Sequence, residues 1–125
     1  MAVSLFLLPV VLAQAPVIVS GRSAAAEDRV DVAYAELSRG QAEEAAAKLE
    51  RDRQLEIDDP AKLLNLGAAY ARLGRTGEAR DLFAAAVMSP NRYDLELADG
   101  RWMDSRRAAR LALELLEQDR TLAVR

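Results

Sequence analysis

No cysteine and no histidine occur among the 125 residues. Their absence excludes disulfide staples, Cys/His zinc sites, thiol nucleophiles and any triad or general base that uses imidazole. Aromatics are scarce at 5%, and four prolines and six glycines are too few for a loop-rich or fibrous chain. Net charge is only −3, so no basic excess draws nucleic acid to the molecule as a whole. What is present is 51% apolar and 30% charged, rich in Ala, Leu, Glu and Arg. That is the composition of one folded, helical domain.

Charge is also missing from Ala2 to Val19, and returns only at Arg22. Pro9, Gln14 and Pro16 interrupt the run, which weakens it as a spanning helix. Leu5 to Leu12 suits the short apolar core of a secretory leader, with Ala24-Ala25-Ala26 as a cleavage site before Glu27 and Ala13-Gln14-Ala15 as an earlier one. No Lys or Arg precedes that core, unlike an ordinary leader. Residues 1–26 are therefore expected to be a cleavable signal peptide. The alternatives are an uncleaved anchor that holds residues 2–20 at a membrane, and a buried core segment. No cysteine is available to carry a lipid anchor. The expected location is periplasmic or otherwise exported.

The remainder, 27–125, opens with a repeat. Ala33 and Gly67, Gly40 and Gly74, Glu44 and Glu78, Ala45 and Ala79, and Leu49 and Phe83 are each 34 residues apart. A fixed period of that length indicates stacked helical hairpins. Val30, Ala33, Tyr34 and Leu37 mark one helix face, and Leu63, Leu66, Gly67, Tyr70 and Leu73 mark the next first helix. Ala42, Ala45, Ala46 and Leu49, then Ala79, Leu82, Phe83 and Ala86, mark the second helices. Asp59 before Pro60 reads as a helix start, Gly40 and Gly74 as left-handed helix ends, Thr76 as a further cap and Ser89-Pro90 as a stop.

These positions resemble the tetratricopeptide repeat family, of the small exported bacterial kind. The match is better over Pro60 to Asn91, where Leu63, Leu66, Gly67, Tyr70, Gly74, Glu78, Ala79, Phe83 and Ala86 carry the family spacing. Residues 27–59 form a degenerate first unit, with Glu36 where the family has an aromatic. The resemblance implies a right-handed α-solenoid fragment whose first helices line a concave groove for a peptide or partner protein. Carried over, the groove positions are Ala61, Leu64, Asn65, Ala68 and Arg72 in unit two, and Glu27, Val30, Asp31, Tyr34 and Leu37 in unit one. Of these, Tyr34, Leu64, Asn65, Ala68 and Arg72 form the candidate binding set. Asn65 is suited to a peptide backbone, Arg72 to a carboxylate, and Tyr34 to a large amphipathic contact or to core packing.

After Pro90 the period fails, because Arg101 stands where a third repeat needs a small residue. Tyr93, Leu95 and Leu97 alternate with Asp94 and Glu96, and Asp99-Gly100 follows. This predicts a short β-hairpin over 92–104 with a two-residue turn, both of whose residues have positive φ, and with Leu97 and Trp102 packed on the helices. The rival reading is a ragged helix. Asp104 or Ser105 then caps a last helix, near Arg106 to Gln118 within 105–119, whose stripe Ala108, Leu111, Ala112, Leu115 closes the stack. The expected fold is all-α, two tetratricopeptide-like hairpins with a β-hairpin and a capping helix.

Glu27 to Asp59 carries 11 acidic and 5 basic residues, and Pro60 to Arg125 carries 9 and 11. The asymmetry reads as a solvated surface, or as polarity matched by a partner or a second copy. Glu43-Glu44 and Asp58-Asp59 are surface pairs with no facing carboxylate, Asp94–Gly100 lacks the oxygen ligands of a calcium loop, and no phosphate-cradling glycine loop occurs. The chain reads as a non-enzyme without cofactor or metal. Its expected role is an envelope adaptor that binds protein or peptide and no nucleic acid. The alternative is a structural subunit, self-associating or membrane-anchored, and two repeats alone favour a homo-oligomer that lengthens the groove.

Overall fold

The computed structural model describes residues 31–125. The expected leader over 1–26, with Glu27 and Val30, lies outside the described residues. Within them the chain is predominantly helical with one small antiparallel sheet. The order is α1 (Tyr34–Ser38), α2 (Ala42–Arg51), α3 (Pro60–Arg72), α4 (Thr76–Met88), β1 (Asp94–Glu96), β2 (Trp102–Asp104) and α5 (Ser105–Glu117).

Helix α3 is the centre. Asp59 caps it, its Oδ1 accepting from the Ala61 and Lys62 amides at 2.9 and 3.2 Å, and Pro60 opens it, as its fixed φ suits. Every residue from Pro60 to Tyr70 is buried. The helix packs chiefly on α4 and α2, and also on α5 and α1. Its end is a Schellman motif: the Arg75 amide donates to Tyr70 O at 2.9 Å and Gly74, at φ +80°, donates to Ala71 O at 3.1 Å. The same pair of bonds recurs 34 residues earlier, from Gln41 to Glu36 and from Gly40 to Leu37.

Close packing of α3 on α4 depends on Gly67. A Cβ there would stand 2.5 Å from Phe83 Cε1, and Phe83 is buried. Ala79 and Ala86 share the α4 face that meets this core.

Four local expectations are corrected. The first helix does not run through Ala33: that residue is left-handed (φ 60°, ψ 31°), its amide donates to Asp31 Oδ1 at 2.9 Å, and α1 is a single short turn. Thr76 lies inside α4 and makes no cap bond; Arg75 precedes the helix instead. In the hairpin only Gly100 has positive φ (+83°), not Asp99. The Leu97 amide donates to Arg101 O, and the Gly100 amide to Leu97 O. The loop is thus three residues, Ala98 to Gly100, closed by a glycine at its left-handed position. Trp102 is 56% exposed. It pairs with Glu96 on the outer face, while Leu95 pairs with Met103 on the inner one, since successive strand side chains alternate.

Helix α5 is capped by Asp104, which accepts from the Arg107 amide at 3.1 Å. It buries Ala108, Ala109, Ala112 and Leu116 against α4 and α3. Asp119 ends it in a left-handed conformation (φ 56°). The chain then turns back through Thr121 to Arg125, and Val124 forms an antiparallel bridge with Leu97.

Candidate functional site

The five groove residues named from the sequence are brought together, but not around open space. Leu64, Asn65 and Ala68 are fully buried on α3. The expectation that Leu64, Asn65 and Ala68 line an open groove is thereby corrected. The physical cause is the returning segment, whose Leu122, Ala123 and Val124 are buried in the same core as Val32, Leu37 and Leu64.

Asn65 holds that segment by its backbone. Its Oδ1 accepts from the Val124 amide at 2.5 Å, and its Nδ2 donates to the Val124 carbonyl and, at 2.6 Å, to the Val32 carbonyl. One side chain thus satisfies both polar groups of one residue and a third group on the segment leading into α1. A buried carboxamide is tolerated because its atoms are paired, whereas an unpaired one costs heavily.

Arg72, one helical turn past Ala68, joins the end of α1 to the start of the returning segment. Its Nη1 donates to Leu37 O at 2.6 Å and its Nε to Thr121 Oγ1 at 3.3 Å. Burial pulls its guanidinium below the ordinary arginine value. Tyr34 is half-buried at the start of α1, with the Arg125 guanidinium 5.4 Å from its ring centroid. Arg125 also lies 3.7 Å from Glu96 and donates to Ala98 O at 3.4 Å. Val32 and residues 121–125 are the parts of this site that sequence reasoning missed. The stretch from Thr121 to Arg125 is too short for periodicity to register.

Two charged clusters are built on α2. Lys48 Nζ lies 2.5 Å from Asp31 and 2.8 Å from Glu36, tying α2 to α1 and to the segment before it. Burial raises the Asp31 carboxyl, but the hydrogen bonds from Lys48 and the Ala33 amide and the Lys48 charge outweigh it, leaving the group below the usual carboxylate range. Tyr70 donates its hydroxyl to Glu50, with the Arg75 guanidinium 3.9 Å above its ring. Burial and the Glu50 hydrogen bond push that phenol above its ordinary value.

A separate depression of about 480 Å³ is open. Leu55, Ile57, Leu63, Leu66 and Leu82 supply its apolar wall, and Glu50, Asp52, Arg53 and Lys62 its rim. Ile57 is 85% exposed. Lys62 is buried, its Nζ donating to Asp52 O at 3.1 Å. Among the described residues no three acidic side chains converge to hold a metal ion, and no helix is long and apolar enough to cross a membrane.

Comparison with known proteins gives no match to a protein-family model, a curated protein or a solved structure.

Proposed function

We propose that this protein is a non-catalytic interaction module of the tetratricopeptide type, an exported adaptor of the cell envelope that holds an extended peptide or partner segment against α1 and α3. One observation carries the reading: the Asn65 carboxamide grips both backbone groups of Val124 in an extended segment lying on that face. Backbone recognition of this kind is independent of the bound side chains, so the same groups suit a segment supplied by another protein. The repeated Schellman ends at Gly40 and Gly74, and the fit of Gly67 to Phe83, support the family reading. Export rests on the apolar run at 2–20.

The test is selection of displayed random peptides on the full chain, followed by titration into isotopically labelled protein. The expected result is shifted signals at the Asn65 side-chain amide, Ala68, Arg72 and Val124. Shifts confined to Leu55, Ile57 and Leu66, or no selected peptide, would overturn it.

A second reading, a self-associating structural subunit, is favoured by the open apolar depression and the exposed Ile57. It requires a concentration-dependent rise in mass by light scattering that Ile57→Asp removes.

A further inference from the structure

The groove proposed above already has an occupant. Leu122, Ala123 and Val124 are 2%, 0% and 0% exposed, so both faces of an extended three-residue segment are covered. Its backbone is held by Asn65 and bridged to Leu97, and its following cation lies beside Glu96 and the Tyr34 ring. The site therefore displays its own specificity: aliphatic, small, aliphatic, cation.

The segment is tethered by Gln118, Asp119 and Arg120, all exposed, with the left-handed Asp119 ending α5. The amides of all three donate back to Leu115 and Leu116 at the end of α5, and exposed chain held by such local bonds opens at lower free energy than the whole domain.

We propose that residues 121–125 are a displaceable latch. In this view the groove's ligand is an extended segment of a partner protein with the same aliphatic–small–aliphatic–cation pattern, which binds by replacing the latch. The inference rests on the peptide-groove reading and adds its regulation. A short tether gives the latch an effective concentration in the millimolar range. A second copy's identical segment, at micromolar concentration, makes the same contacts without that advantage and loses. A partner segment wins only by adding contacts beyond those of Leu122 to Arg125. Until it does, the latch lowers the apparent affinity in proportion to the fraction of closed molecules.

The probe is a fluorescein-labelled synthetic octapeptide with the sequence of residues 118–125, titrated by anisotropy into the full chain. Val124→Ala removes two buried methyl groups from the latch alone and is expected to raise affinity for the probe about tenfold over wild type. Val124→Asp, which places a carboxylate where no water reaches, is expected to raise it further. Helical circular dichroism verifies each variant, and Val124→Ala suffices if Val124→Asp loses its fold. Equal, measurable binding to all chains, with Asn65 side-chain signals shifting, removes the latch and leaves the peptide groove standing. No binding to a folded Val124→Ala chain removes both. Dimers of the wild-type chain that Val124→Asp abolishes would show the segment exchanging between copies, and would overturn the assignment to a partner.

Discussion

Replacing Gly67 by alanine adds one methyl group at the tightest crossing in the domain. In an exposed helix the change stabilises by about 0.8–1 kcal/mol through helix propensity. Here the new Cβ would stand 2.5 Å from Phe83 Cε1, 2.8 Å from Cδ1 and 3.1 Å from Cζ. Side-chain carbons do not approach so closely, so the ring must move. Phe83 is 1% exposed and walled by the same core that holds Ala79, Leu95 and Ala112, so it has nowhere empty to go. Overpacking of this kind costs about 1–3 kcal/mol, which exceeds the propensity gain and leaves a net loss of about 1 kcal/mol. For a domain of this size that lowers the melting temperature by about 4–8 °C. Gly77→Ala is the internal control. Gly77 is also helical, but a Cβ there meets nothing within 4 Å, so that variant is expected to melt at or above the wild-type temperature. Trimming the obstacle supplies a second check: Gly67→Ala combined with Phe83→Leu should lose about 1 kcal/mol less than the two single changes added together. Thermal unfolding followed by circular dichroism reads all four chains. A Gly67→Ala chain as stable as wild type would refute the crossing argument, and with it the pairing of α3 and α4 through small residues.

Asn65→Leu keeps the volume but strands the Val32 carbonyl and both Val124 backbone groups; at about 1–3 kcal/mol for each unsatisfied buried group, urea unfolding should show a loss of about 3 kcal/mol or more, and a neutral result would reject the clamp. Asp59→Ala removes the α3 cap and the acceptor of the Tyr93 hydroxyl, which donates to both Asp59 oxygens at 2.9 Å; a loss of about 1–2 kcal/mol is expected in the same assay, with Tyr93→Phe losing less. Gly100→Ala meets no atom within 4 Å but must hold φ +83°, so its cost of about 1–2 kcal/mol is wholly backbone strain and should not depend on the size of the new side chain. The depressed Asp31 carboxyl implies a stability contribution present above its unfolded value and lost as pH falls through the lower folded one. At 61% exposure the Asp31–Lys48 pair supplies under about 1 kcal/mol, and Lys48→Met should return the Asp31 midpoint, read by NMR titration, towards the ordinary range.

The sequence by itself determined α2 to α5 and much of their punctuation, though not the start of α1 or the residue preceding α4. Asp59-Pro60, Gly74 and Ser89-Pro90 bound their elements because cap chemistry and φ restrictions are local, and a hydrophobic repeat of 3.6 residues survives any tertiary context. Gly67 was legible for the same reason: a missing side chain in an apolar stripe needs a close neighbour. Tertiary structure decided the rest. Helix α3 shows one stripe in sequence, yet both its flanks are covered, because residues 121–125 return across the side that the pattern leaves polar enough for solvent. Nothing local marks Asn65 as buried; its polarity is answered by Val32 and Val124, 33 and 59 residues away. Trp102 was expected inside because a lone hairpin is marginal in water, but strand register, a matter of pairing with Glu96, turns it outward. A side chain's partner across sequence distance is a property of the assembled chain, and in this protein that is what separates an open groove from a closed one.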